Sequence, residues 1–326
     1  MHMFKKLAFF AIVISLGLSL GLTGCTSKTA TQTPTNTTPV NTEPVEVRET
    51  SLVYGIIPHE SPESLLVERK FFKEYLEKEL GVPVQIFIAT DYTGVVEAMK
   101  SKKIDFAEFG PFSFVLAREQ AEAEVATIMV TKKTNKPFYT GYLIATPEVA
   151  AKLNITTPLE GIEGMKKLAT ILTNHKKEFT FTFTDPASTS GHGAPRYYMN
   201  EGGISNVDDW FKKVGFVGSH DASILGIQNK TADIGATNNN NFELLAKKGK
   251  VDTSKIVIIW KSPDIPESPV AYRKSLSSQM KKDILAALLK CPEDIIKDMG
   301  LARFESTTDA MYDDVVKMKN FIDTIK

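Results

Sequence analysis

The sequence predicts an α/β protein of two lobes, joined by two crossing segments, with a ligand cleft between them. Three observations predict it. Strand-like and helix-like stretches alternate over residues 52–109, and the same alternation returns over 179–236. Two further extended stretches, at 139–145 and 256–260, lie between and after these halves. Alternation at this spacing argues for layered sheets with mainly parallel strands.

The first half opens with a strand at 52–57. Leu65, Leu66, Phe72, Tyr75, Leu76 and Leu80 then recur near the helical period, which predicts a helix over 63–80. Gly81 stops it, and 84–88 is the next strand. A polar turn at 90–94 leads into a helix through Lys102, followed by a strand at 104–109. In the second half, 179–184 is a strand, 188–200 a helix, 215–217 a short strand, 221–230 a helix and 234–236 a strand. The crossing at 139–145 ends at Thr146-Pro147. The other runs from a strand at 256–260 through a Pro-broken loop at 262–269 to a strand at 270–272. Helices at 276–290 and 309–326 close the chain and return to the first lobe. The lobes expected are therefore 50–143 with 264–326, and 144–263. No repeat of solenoid period is present.

Ahead of this body, Lys5 and Lys6 precede an apolar run from Leu7 to Leu22 that ends in L-T-G-C. The run falls short of the roughly 20 residues of a comfortable membrane span. A charged start, an apolar stretch and a small residue before the cut read as a secretory signal over 1–24. The cysteine directly after it adds the lipobox pattern, so Cys25 is expected to carry a diacylglyceryl group. Buried acyl methylenes, at roughly 0.8 kcal/mol each, would hold the protein on the extracytoplasmic face of the cell membrane. Residues 25–49 are rich in Thr, Pro, Asn and Gln and nearly free of large apolar side chains, the composition of a solvated tether.

Charge excludes some partners. The chain has 39 basic and 39 acidic residues and no basic block, which disfavours nucleic acid. Cys25 and Cys291 are the only cysteines, so neither a disulfide framework nor a cysteine metal cluster is expected. Cys291 reads as a small buried hydrophobe.

The chemistry lies at three helix starts: Asp91-Tyr92-Thr93-Gly94, the stretch Asp185-Pro186-Ala187-Ser188-Thr189-Ser190-Gly191, and Gly218-Ser219-His220-Asp221. A helix N-terminus offers unpaired N–H groups and about half a positive charge. Several such ends aimed at one point form an oxyanion site. Ser188, Thr189 and Ser190 add hydroxyl donors, and ligands of α/β folds gather at the carboxyl ends of parallel strands, where these segments should lie. Taken singly, Ser, Thr and Asp are ordinary N-caps and a histidine is ordinarily structural; their coincidence at equivalent points carries the argument. A Ser/His hydrolase is disfavoured because no G-x-S-x-G elbow is present and no S-x-x-K begins at Ser188 or Ser190. A metal receptor using His59, His192, His220 and Glu60 is disfavoured by ligand spacing. No catalytic residue, metal or cofactor is expected.

At these residues the chain resembles the phosphate/phosphite/phosphonate-binding family, the receptors of phosphonate ABC importers. The resemblance spans about Leu52 to Tyr312. Its motifs are G-I-I-P-H-E-S from Gly55, L-G-V-P-V from Leu80, D-Y-T-G-V-V from Asp91 and D-F-A-E-F-G-P-F-S from Asp105. They continue with D-P-A-S-T-S-G from Asp185, G-S-H-D-A from Gly218 and W-K-S-P-D-I-P from Trp260. It implies the type 2 periplasmic-binding-protein fold, capture of a small anionic phosphorus ligand by hinge closure, ABC permease subunits as partners, and a monomer. Ser188, Thr189 and Ser190 resemble the family's oxyanion-binding triplet and His220 its ligand-binding histidine. Tyr92 and Tyr139 match its two ligand-contacting aromatics. Where relatives binding aminoalkyl phosphonates hold the ammonium with carboxylates, this chain has Asn240 and Ser268, with Glu267 adjacent. A buried ammonium without a carboxylate is costly. The resemblance therefore implies phosphite, methylphosphonate or phosphate ahead of an aminoalkyl phosphonate. Another oxyanion, or a sensor's role, would suit the same fold.

Overall fold

The computed structural model describes residues 49–325. The signal segment, Cys25 and most of the tether lie outside them. Among the described residues, twelve strands form two six-stranded sheets, one per lobe. The first sheet contains β1 (Leu52–Ile56), β2 (Val84–Ile88), β3 (Phe106–Glu108), β4 (Ala123–Thr131), β11 (Pro269–Arg273) and β12 (Leu301–Ser306). The second contains β5 (Phe138–Ala145), β6 (Leu159–Glu160), β7 (Thr180–Phe183), β8 (Lys213–Phe216), β9 (Ile234–Asn238) and β10 (Val257–Pro266). Their orders are β12-β4-β11-β3-β1-β2 and β6-β10-β5-β9-β7-β8.

The helices of the first lobe are α1 (Pro62–Leu80), α2 (Tyr92–Lys100) and α3 (Pro111–Ala121). The second lobe carries α4 (Pro147–Lys152), α5 (Gly161–Leu172), α6 (Ala194–Glu201), α7 (Val207–Trp210), α8 (His220–Gln228) and α9 (Asn239–Lys247). The chain closes with α10 (Ser278–Lys290), α11 (Glu293–Ile296) and α12 (Asp313–Thr324). Local chemistry sets the ends. On α1, the Ser61 hydroxyl accepts from the Ser64 amide, Pro62 supplies a preset φ, and Gly81 takes the left-handed conformation at φ 68°.

The sheets share one plan. In each, three parallel strands lie at one side, β2-β1-β3 and β8-β7-β9. The expectation of mainly parallel strands fails for most of the remainder: β11 pairs antiparallel with β3 and β4, and β5 does so with β9 and β10, although β6 pairs parallel with β10. The cause is the crossing, since a chain that leaves one lobe and returns re-enters each sheet in the opposite sense.

The lobe boundaries also differ from those expected. Residues 138–143 pair with β9 and β10, so the second sheet begins at Phe138 and not at 144. The stretch expected as a loop at 262–269 is strand through Pro266, because register shifts between Lys261 and Asp264 accommodate Pro263. The crossings narrow to 132–137 and 267–268, tied by a bond from the Glu267 amide to the Pro137 carbonyl, 2.9 Å. Helices α10 and α11 return to the first lobe against α1, whereas α12 packs on both α3 and α6. Cys291 is buried at the end of α10, where burial pushes its thiol up to about 12.

Candidate functional site

Six strand-to-helix turns, three per lobe, meet at the carboxyl ends of the parallel strands. They line one cavity of about 550 Å³. The first lobe contributes His59 and Glu60 after β1, Tyr92 after β2, and Phe109 and Gly110 after β3. The second contributes Ser188, Thr189 and Ser190 after β7, His220 after β8, and Asn238 at the end of β9 with Asn240 just beyond it. Tyr139 on β5 and Ser268 on the second crossing complete the eight residues singled out from the sequence, and all eight share this lining. Sequence reasoning missed the Gly110 turn, which carries no polar side chain, and Asn238.

The β7 turn is the densest part. Thr189–Gly193 form a single π turn ahead of α6, and Ser188 caps it: its hydroxyl accepts from the Gly191 amide at 3.1 Å. The Thr189 and Ser190 amides precede any intrahelical pairing, and the Ser190 amide meets the Tyr139 phenol. A Cβ on Gly191 would fall 1.6 Å from Thr184 Oγ1, so only glycine lets this turn lie on its strand. Ser188, Thr189 and Ser190 are each at most 2% exposed.

His220 is 3% exposed, and burial, with His59 nearby, lowers its pKa to about 3. At neutral pH it is an uncharged imidazole. Its Nδ1 lies 3.1 Å from Thr237 Oγ1 and its Nε2 lies 3.4 Å from Ser188 Oγ. Asn238 Nδ2 lies 3.3 Å from the same Nε2 and donates to Ser190 Oγ at 3.2 Å. The Tyr92 hydroxyl engages Ser188, and that of Tyr139 engages Ser190 and Thr189. Burial holds both phenols well above their ordinary pKa, so both remain O–H donors.

Not every helix amide aims inward. The Tyr92 amide, at the start of α2, donates across the cleft to Asp185 at 3.3 Å. The His220 amide donates to the His59 carbonyl at 3.2 Å, and the Phe112 amide of α3 to Thr189 Oγ1 at 2.8 Å. Three helix starts therefore clasp the opposite lobe. The inward donor set consists mainly of side chains together with the β7 turn, a narrower set than three convergent backbone ends.

Asn240 and Ser268 are neutral, as read from the sequence, and Glu267 lies between them. Its carboxylate accepts from Asn240 Nδ2 at 2.6 Å and from the Ser268 amide at 3.2 Å. Glu267 is 3% exposed, and burial raises its pKa to about 7, the Asn240 bond opposing. His192 sits outside the lining, its ring between Phe183 and Phe216. Among the described residues no group of three His, Cys, Asp or Glu is placed to hold a metal ion.

A family model described as the periplasmic substrate-binding protein of phosphonate ABC transporters matches residues 54–312. The chain is 30% identical to the phosphonates-binding periplasmic protein of Escherichia coli (strain K12) over 269 residues, covering 81% of this chain and 74% of that protein. It is 30% identical over 213 residues to a probable ABC transporter phosphite binding protein of Prochlorococcus marinus (strain MIT 9301), covering 65% of this chain and 66% of that protein. The solved structure of that organism's PhnD1 in complex with methylphosphonate superposes with a TM-score of 0.71 at 24% identity, covering 84% of this chain and 98% of that one. The two-sheet plan is thus the type 2 periplasmic-binding-protein fold. With the family model spanning most of the folded body, the chain belongs to the periplasmic substrate-binding proteins of phosphonate ABC transporters.

Proposed function

We propose that this protein captures a phosphorus oxyanion or phosphonate outside the cytoplasm and delivers it to ABC permease subunits. The single observation that carries the reading is the meeting of the Ser188–Ser190 hydroxyls, His220 and the phenols of Tyr92 and Tyr139 in one buried lining. Hydroxyls and amides held in a low-dielectric site bind an oxyanion by charge-assisted hydrogen bonds. The ligand touches both lobes, Tyr92 in the first and the β7 and β8 turns in the second. Its differential affinity therefore favours closure about the crossings at 132–137 and 267–268.

The same geometry supports binding over turnover. Ser188 Oγ is occupied as a cap, and His220 Nδ1 faces a threonine where a hydrolase would place a carboxylate. With a pKa near 3, His220 is a weak base at neutral pH. We infer no catalysis. The protein acts as a monomer, held to the membrane by lipid on Cys25; Cys25→Ala should release it into the soluble fraction.

Within the ligand class, neutral Asn240 and Ser268 favour phosphite, methylphosphonate or phosphate. A second reading rests on Glu267, a buried carboxylate with no cation partner among the described ion pairs, which suits a ligand bearing an ammonium group. Calorimetry with phosphite, methylphosphonate, 2-aminoethylphosphonate, phosphate and sulfate tests both. Binding of a phosphorus anion and exclusion of sulfate supports the main reading. Tightest binding of 2-aminoethylphosphonate selects the second, and binding of sulfate alone rejects both.

A further inference from the structure

The cavity is longer than its oxyanion end requires. The lobes are already clasped by the His220–His59, Phe112–Thr189 and Lys248–Glu60 bonds, the last at 3.2 Å, and a cleft of about 550 Å³, open to solvent on one side, remains between them. Cavities of roughly 300–1,000 Å³ enclose drug-sized ligands, well beyond an anion of four or five heavy atoms. The lining follows α9 from Asn240 through Leu244 to Lys247, seven helical steps or about 10 Å at the helical rise.

The wall changes character along that path. Near Asn240 it is polar. Farther on, Leu244 of the second lobe shares the lining with Met129, Met299 and Leu301 at the β4–β12 edge of the first, alongside the charged Lys132, Lys133, Glu243, Lys247 and Lys297. At the C-terminal end of α9, Lys248 holds Glu60 by its Oε2. The other carboxylate oxygen of Glu60, in a residue 2% exposed that lines the cavity, has no hydrogen-bond partner. A buried carboxylate oxygen left unpaired costs free energy that a ligand donor would recover.

We propose that the natural solute is an organophosphorus compound whose substituent is several atoms long, runs between Leu244 and the Met129–Leu301 wall, and ends in a hydrogen-bond donor at Glu60. The inference rests on the oxyanion reading and, within the same ligand class, replaces the small ligands favoured by Asn240 and Ser268 with a longer one. The oxyanion end fixes the phosphorus group, while the α9 channel selects the length and polarity of what is attached.

The test is calorimetry on the purified full chain with phosphonates of graded substituent: methyl, propyl, hexyl, 6-aminohexyl and 5-carboxypentyl. The expected result is affinity that rises with length, with the amino-ended compound at least tenfold tighter than methylphosphonate. In Leu244→Trp, which narrows the channel, that ratio should collapse toward one. Affinity that falls with length, or a carboxylate-ended compound binding tightest, overturns the inference while leaving the oxyanion reading standing. Absence of binding across the series, methylphosphonate included, overturns both.

Discussion

Asn240 Nδ2 donates to Glu267 Oε1 across 2.6 Å, joining the N-terminal turn of α9 to the second crossing beside the cavity. Glu267 also donates its amide to Pro137 and accepts from the Tyr312 hydroxyl at its carbonyl, 3.3 Å. One residue thus links both crossings to the lining.

Glu267 makes stability depend on pH. Its folded pKa, near 7, is raised above the ordinary carboxylate value by burial. The folded state therefore holds the proton more tightly than the unfolded state. The contribution is fully present below about pH 4.5 and is lost as pH rises through 7, on the order of 3 kcal/mol in all. Glu267→Gln should flatten thermal stability over that window and be the more stable protein above pH 8. Parallel melting curves of the two proteins across pH 4–9 would contradict this.

The same group separates the two ligand readings. A ligand ammonium binds the ionised carboxylate, so affinity for 2-aminoethylphosphonate should rise with pH up to about 7 more steeply than affinity for methylphosphonate. Equal pH slopes would show that the amine does not reach Glu267.

His220→Ala and Ser190→Ala should each weaken phosphonate binding by about 1.5–3 kcal/mol with the circular dichroism spectrum retained. His220 also has a pH signature of its own. With its folded pKa depressed to about 3, its stabilising contribution is present above about pH 6.5 and is lost as pH falls toward 3. Stability of the His220→Ala protein should fall less over that range; an unchanged pH profile would argue against a buried neutral imidazole.

Gly191→Ala tests the β7 turn. The added methyl meets Thr184 Oγ1 and Cβ at 1.6 and 2.7 Å, so the turn must move off the strand. A loss of about 1–3 kcal/mol in stability is expected, together with loss of ligand binding. Melting at the unaltered temperature would mean the turn has room that its geometry denies.

Lys248→Met tests closure. Lys248 bridges the second lobe to Glu60 and Glu68 of the first, and Glu60 has no other cation among the described ion pairs. Without the ammonium, closure leaves Glu60 uncompensated. Affinity should drop about tenfold, or 1.4 kcal/mol, mainly through faster dissociation. Stopped-flow release of bound ligand gives the answer, and an unchanged rate would remove Lys248 from the closure account.

The sequence was most readable where structure is local. Alternating periodicity located β1, α1, β2 and β7, and the hydroxyl and imidazole donors marked the starts of α2 and α8 and the β7 turn. Long-range pairing was less readable. The expectations from sequence place no element in 111–131, which α3 and β4 fill, and Pro263 hid the second half of β10 because a register shift between Lys261 and Asp264 absorbs it. The Gly110 turn has no polar side chain to betray it, although its helix start takes part in the cross-lobe clasp through the Phe112 amide. Use of helix amides across the cleft depends on the closed arrangement of the lobes, which no local pattern encodes.

The central claim is that a phosphorus oxyanion sits at the β7 turn. A crystal structure of the protein grown with methylphosphonate tests it most directly. The account predicts phosphonate oxygens within hydrogen-bonding distance of the Ser188–Ser190 hydroxyls, the Tyr92 phenol and the His220 ring. Phosphonate density at any other place, with this turn making no contact to it, would contradict the account.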